Sequence, residues 1–122
     1  MGHEFEPLSG RIIEAAICVH KELGPGFIES IYHRAMEIAL RHREIPYATE
    51  KTIRIWVEGE DAGYHRLDLV VAGEIIVELK AIKALEDIHF ATLKSYLKAT
   101  GLHVGLLMNF NAPSLIVKRV ML

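Results

Sequence analysis

Three ionisable residues, Asp68, Glu78 and Lys80, stand in an otherwise apolar stretch that runs from His65 to Ala81 as HRLDLVVAGEIIVELKA. Glu78 and Lys80 are two apart, so in a strand they share a face with Ile76 while Val77 and Leu79 take the other. If Asp68 lies opposite Glu78, two like charges about 5 Å apart repel by roughly 3 kcal/mol at an effective dielectric of ~20, or about two pKa units. Three outcomes relieve the repulsion: one carboxylate keeps a proton, Lys80 neutralises the pair, or a divalent cation binds between them. Hard carboxylate oxygens with a main-chain carbonyl and water suit Mg²⁺ or Mn²⁺ rather than Zn²⁺. A solvated charged face on an edge hairpin has the same spacing and carries no chemistry.

The element that must position these groups is a hairpin turning at Ala72-Gly73-Glu74. A two-residue turn at Ala72-Gly73 pairs Asp68 with Val77 and sends Glu78 to the wrong side. A three-residue turn, or a bulge beside Gly73, pairs Val71 with Ile75 and hence Asp68 with Glu78, with Cβ atoms ~4.5–5.5 Å apart. The chemical reading needs the second register. Ahead of the hairpin, Lys51 to Glu58 alternates with Ile53, Ile55 and Val57 on one face and Thr52, Arg54 and Trp56 on the other. It reads as the first strand of an antiparallel meander, reached through a turn at Gly59 to Gly63. Trp56 reads as a packing residue or part of a subunit contact rather than a base-stacking platform, because no second exposed aromatic is evident beside it.

Helices are expected on both sides of this block. The first starts near Ser9, a suitable N-cap, and runs to Leu23, with Ile12, Ala16, His20 and Leu23 as its apolar side, widened by Ile13 and Ile17. Gly24-Pro25-Gly26 ends it. A second spans Ile28 to Arg43 with a stripe of Ile28, Ile31, Tyr32, Ala35, Met36 and Leu40, closed by Ile45-Pro46. Glu29 and Tyr32 are neighbours near its start, where a glutamate stabilises its own helix through the macrodipole. A third helix opens at Glu86 or Asp87 and lasts to Thr100 before Gly101. Phe90, Leu93 and Leu97 face the core, and His89, Thr92 and Tyr96 repeat that spacing on a face that could look across at the hairpin. Leu102 to Phe110 should be a strand buried on both faces, Asn109, Asn111 and Pro113 a turn, and Leu115 to Met121 a last edge strand protected by Lys118 and Arg119.

The 122 residues are half apolar (51%) and a quarter charged (25%), which suits one domain over residues 1–122 with an ordinary buried core. The single cysteine, Cys18, cannot form an internal disulfide and reads as a small core residue of a cytoplasmic protein. No apolar run approaches the ~18 residues of a membrane span, and the start, MGHEFEPLSG, resembles no export signal. A net charge of −2 weighs against tight non-specific binding of nucleic acid. Seven histidines invite zinc, but none lie at i,i+4 on one helix or pair with a second cysteine. His89 could assist proton transfer if it titrates near neutrality, though a hydrogen-bonded helix residue fits the same position. There is no G-x-S-x-G elbow, and Gly24 and Gly26 do not follow a strand, which removes serine hydrolysis and a dinucleotide fingerprint.

Asp68, followed nine residues later by Val77-Glu78-Leu79-Lys80, resembles the D…(D/E)xK signature of the PD-(D/E)XK nuclease superfamily. Within it the chain resembles the GxxExxY proteins, whose motif stands here as Gly26-Phe27-Ile28-Glu29-Ser30-Ile31-Tyr32. LGPG from Leu23, YHRLDLVV, IIVELKA, YLKATG from Tyr96 and LLMNFN from Leu106 extend the likeness from about Ile12 to Val120. The order ααβββαββ fits the resemblance, which implies an α/β restriction-endonuclease-like core, a mixed central β-sheet flanked by helices. It also implies a metal-dependent nuclease in which Asp68, Glu78, the Leu79 carbonyl and Glu29 hold Mg or Mn. Lys80 would then act on the attacking water, Tyr32 would orient Glu29, and His89, Thr92 and Tyr96 would orient a DNA or RNA substrate. In the GxxExxY proteins a glutamine usually stands where this chain has Thr92, which is shorter and lacks the paired donor and acceptor. That departure keeps open a catalytically inactive binding module for nucleic acid or a protein partner. A homo-oligomer with Trp56 or the last strand at the contact is a further possibility.

Overall fold

A computed structural model describes residues 6–122. Helix α1 (Glu6–Leu23) and helix α2 (Glu29–His42) precede five strands, β1 (Tyr47–Thr49), β2 (Thr52–Val57), β3 (Glu60–Arg66), β4 (Leu69–Val71) and β5 (Ile75–Lys80). Helix α3 (Asp87–Thr100) then crosses to β6 (Val104–Asn109) and the chain returns through β7 (Ile116–Met121). The block expected as three strands is therefore divided into five, while the mixed α/β class holds. The central sheet has the order β1-β4-β5-β6-β7, parallel only between β5 and β6, where α3 makes the crossover.

Strand β2 does not neighbour the β4-β5 hairpin in a meander, as its alternation suggested; it pairs with β3 in a separate two-stranded sheet. Yet the pairing of Tyr47 with Val71 through Thr49 with Leu69 continues in the same register as Thr52 with Arg66 through Ile55 with Gly63. Strands β1-β2 and β3-β4 are thus one long hairpin, interrupted where Glu50 takes a left-handed φ of 52°. Two main-chain bonds span the break, Glu50 N–H to the Asp68 carbonyl at 3.1 Å and Leu67 N–H to the Lys51 carbonyl at 2.8 Å. The outer part, β2-β3, forms an arm that touches α3. Its turn lies at Glu58-Gly59, both with positive φ, and Asp61 to Gly63, expected as loop, belong to β3 with a bulge between Ile55 and Trp56.

Two cores sandwich the sheet. Ile12, Ala16, Met36 and Leu40 of α1 and α2 pack on Ile75, Val77 and Leu79, whereas Leu93 and Leu97 of α3 pack on Ile76, Leu107 and Val120. Strand periodicity then requires Glu78 and Lys80, in step with Ile76, to face α3. Glycine matters most at Gly105, where a Cβ would stand 2.9 Å from Leu93 Cγ and both its Cδ atoms, so its absence lets α3 lie against β6.

Several expectations on the helices are corrected. Ser9 lies buried inside α1, which already runs from Glu6; Pro7 fits that first turn because its missing N–H has no partner there. Cys18 is exposed rather than core, as are Ile17, Ile28 and Ile31, because α1 and α2 cover only part of each other's apolar stripe. Asn109 ends β6, fully buried, rather than lying in a turn. Among the described residues no helix is long and apolar enough to cross a membrane.

Candidate active site

The turn between β4 and β5 decides the site. Ala72 and Gly73 both adopt positive φ, 53° and 68°, and Glu74 N–H closes the turn on the Val71 carbonyl at 3.0 Å. Ala72 N–H is meanwhile held by the Pro46 carbonyl at 2.8 Å, a contact from outside the hairpin that stabilises a conformation alanine seldom takes. Glu74 is left over as a third turn residue, and Val71 pairs with Ile75 and Leu69 with Val77. One step further along that ladder Asp68 meets Glu78, the register the chemistry requires.

Ladder pairing stops before that step, and the side chains take over. Asp68 N–H donates to Oε2 of Glu78 at 3.1 Å, and Leu79 N–H donates to Oδ2 of Asp68 at 2.8 Å. Oδ1 of Asp68 and Oε1 of Glu78 remain outside these bonds. The Leu79 carbonyl lies along the same edge of the strand as its N–H, as it does in any extended residue, and so beside Asp68. Glu78 is 7% exposed, and its burial, with the neighbouring Asp68 charge, pushes its carboxyl up to about 8. Lys80 and the Asp68 N–H oppose that shift without overcoming it. No ion pair within 4.0 Å joins Lys80 to either carboxylate, so neutralisation by direct contact with the lysine is not the arrangement adopted among the described residues.

A cleft of about 40 Å³ opens beside these groups, lined by Glu78, Lys80, His89, Thr92, Leu93, Tyr96 and Leu107. The α3 face read from spacing does look across at the hairpin. Each of its polar residues is also tied elsewhere. Nδ1 of His89 accepts the Glu86 N–H at 2.9 Å in a capping box, which leaves Nε2 as the donor of the neutral ring. The Thr92 hydroxyl donates to the Ile88 carbonyl at 2.7 Å, within its own helix. Burial, with Glu78 and then Asp68 nearby, pushes the Tyr96 hydroxyl up to about 12.

Glu29, at the first position of α2, feels the same pair: burial and then the Asp68 charge raise its carboxyl, with Lys80 and His33 opposing. Its influence is electrostatic. Among the described residues no three His, Cys, Asp or Glu side chains are grouped to hold one metal ion, so Glu29 does not complete a three-carboxylate set. Tyr32 does not orient Glu29. Its fully buried hydroxyl donates to the Gly24 carbonyl at 2.6 Å and accepts the Phe27 N–H at 3.2 Å, and its ring stacks on Phe110 at 4.7 Å between centroids. It pins the glycine-proline-glycine loop and thereby sets where α2 begins.

Two residues of the site went unread in the sequence. His65 stacks on Tyr96 with ring centroids 4.5 Å apart and brings Nε2 within 2.6 Å of the tyrosine oxygen. His65 pairs with Ile53, which is buried towards α3, so the alternation of β2 carried a signal only once the β2-β3 register was known. Asn109, paired with Lys80, donates to the Ile82 carbonyl at 2.9 Å and accepts the Ile82 N–H at 3.1 Å, holding the chain as it leaves the lysine. An asparagine after an apolar run was visible in the sequence and was read as part of a turn; its burial and its partner were not.

A family model described as the PD-(D/E)XK nuclease superfamily matches residues 6–120. No curated protein matches the chain. Among solved structures, the crystal structure of SSO0001 is similar in fold, with a TM-score of 0.61 and 23% identity over 75% of this chain. The match covers 48% of the SSO0001 chain, so this protein corresponds to about half of it.

Proposed function

Because this chain belongs to the PD-(D/E)XK nuclease superfamily, we propose that it is a divalent-metal-dependent phosphodiesterase acting on DNA or RNA, built around Asp68, Glu78 and Lys80. The observation that carries the reading is the opposed pair Asp68 and Glu78, one carboxylate held by the Asp68 N–H and the other by the N–H of Leu79, with the Glu78 carboxyl raised by burial and by its neighbour. Such a pair is relieved by a cation, and its donors, two carboxylates beside the Leu79 carbonyl, are the hard oxygens that Mg²⁺ or Mn²⁺ prefers. A metal bound there lowers the pKa of water and polarises a phosphoryl oxygen. Lys80, on the same face, would orient the attacking water or steady the charge that develops on the phosphate. Nε2–H of His89 and the hydroxyl of Tyr96, the latter accepting Nε2–H of His65, would donate to phosphate oxygens. The cleft has room for a few waters and not for a nucleotide, so the scissile phosphate would sit at its mouth.

The test is cleavage of single-stranded, duplex and branched DNA and RNA with Mn²⁺. Lys80→Ala should abolish cleavage with little change in Tm; loss of the fold instead would make the lysine structural. A binding module without catalysis is favoured by one observation, the turning of the Thr92 hydroxyl onto Ile88, which leaves no long amide in the cleft. Metal binding with no cleavage of any of these substrates would select it.

A further inference from the structure

The β2-β3 arm has two unlike faces. On one, Ile53 enters the core under α3 and His65 stacks on Tyr96. The other is set by the pairing of Arg54 with Tyr64, Thr52 with Arg66 and Trp56 with Asp61. It carries Trp56, 62% exposed, and Tyr64, 56% exposed, at diagonal positions across the two strands. The second aromatic that the sequence did not reveal beside Trp56 is therefore Tyr64, brought there by the hairpin.

Arginines accompany the rings. The Arg54 guanidinium lies 5.3 Å from the Tyr64 ring centroid and pairs with Asp61 at 3.2 Å, so ring and cation are held in place on an otherwise open face. The exposed side chain of Arg66 makes no ion pair or hydrogen bond among the described residues, and Arg66 stands two residues before Asp68. The remaining acidic residues of the arm, Glu58 and Glu60, lie at its turn, away from Arg66.

We propose that this face of the arm binds single-stranded nucleic acid, bases stacking on Trp56 and Tyr64 and a phosphate pairing with Arg66, and so leads a strand to the cleft at Asp68. The choice of ligand rests on the nuclease reading. Stacking is tolerant of sequence and supplies affinity that a chain of net charge −2 cannot draw from phosphates alone. A duplex keeps its base faces covered and gives the rings nothing to stack on. A second copy docked on this face would bury two arginines against a single Asp61 in each chain.

Trp56 is the only tryptophan of the chain, so its emission reports this face alone. The experiment is titration of the protein with an oligothymidylate of about ten nucleotides, within the usual span of such sites, in EDTA. Saturable quenching is expected with the single strand and not with a blunt duplex of that length. Tyr64→Ala should weaken binding roughly tenfold, as for one lost stacked base, and Arg66→Gln should lower the salt dependence, both with unchanged Tm. Unquenched emission, quenching indifferent to Tyr64→Ala, or light scattering that shows a dimer dissociated by Trp56→Ala would each overturn the proposal. Chelation keeps cleavage out of the measurement: cleavage by a protein whose Trp56 ignores the strand would sink the arm and leave the nuclease standing, and quenching without cleavage would do the reverse.

Discussion

Asp68 and Glu78 are bound to each other crosswise: the Asp68 N–H meets the Glu78 carboxylate at 3.1 Å, and the Asp68 carboxylate meets the N–H of Leu79, next to Glu78, at 2.8 Å. The Asp68 N–H favours a charged Glu78 carboxylate while burial of Glu78 favours a neutral one. A cation resolves that conflict and should therefore stabilise the folded state. Mn²⁺ is expected to raise the Tm of the wild type by several degrees at concentrations near 100 times its Kd, a stabilisation of about 2.7 kcal/mol. Asp68→Asn should show no such rise, and a thermal shift assay reads both.

Glu78 also makes the metal-free protein sensitive to pH. Its carboxyl titrates near 8 when folded against an ordinary value of 4.5, so the folded state holds a proton that the unfolded state has lost between those values. The stabilisation from this group is complete below about 4.5 and is lost as pH rises through about 8. Urea melts in EDTA should give a midpoint that falls between pH 5 and pH 9, and Glu78→Gln should flatten that fall. Metal affinity should run the opposite way, rising with pH, because bound metal needs the carboxylate.

Tyr32 offers a contrast between structure and chemistry. Tyr32→Phe keeps the stack on Phe110 but leaves the Gly24 carbonyl and the Phe27 N–H without their partner. The expected cost is about 1–3 kcal/mol of stability, with the Mn²⁺ shift of Tm retained. A variant of normal stability that no longer responds to Mn²⁺ would return Tyr32 to the site.

Gly105 sets the distance between α3 and the sheet. Gly105→Ala places a methyl group 2.9 Å from Leu93, itself a wall of the cleft, and should cost about 1–3 kcal/mol through overpacking. Leu93→Ala added to it should recover part of that loss relative to Leu93→Ala alone, since the new methyl group would then fill vacated space. Denaturant melts of the double-mutant cycle measure the coupling.

Much of the site was legible because it depends on local periodicity. Alternation alone put Glu78 and Lys80 on one face of a strand, and helical spacing alone put His89, Thr92 and Tyr96 on one face of α3. What periodicity could not reach was every choice made by a distant contact. The turn took three residues because the Pro46 carbonyl holds Ala72 in a left-handed conformation, and only that register opposes Asp68 to Glu78. A bend at Glu50 divided one hairpin into a sheet edge and an arm, which carried His65 to Tyr96 and set Tyr64 beside Trp56. Tyr32 was placed in the site by the family resemblance, as a neighbour of Glu29 on α2, yet its hydroxyl reaches past the end of the helix to Gly24. Which residues share a face is a property of the chain; which faces meet was decided by the tertiary structure, through backbone partners far apart in sequence.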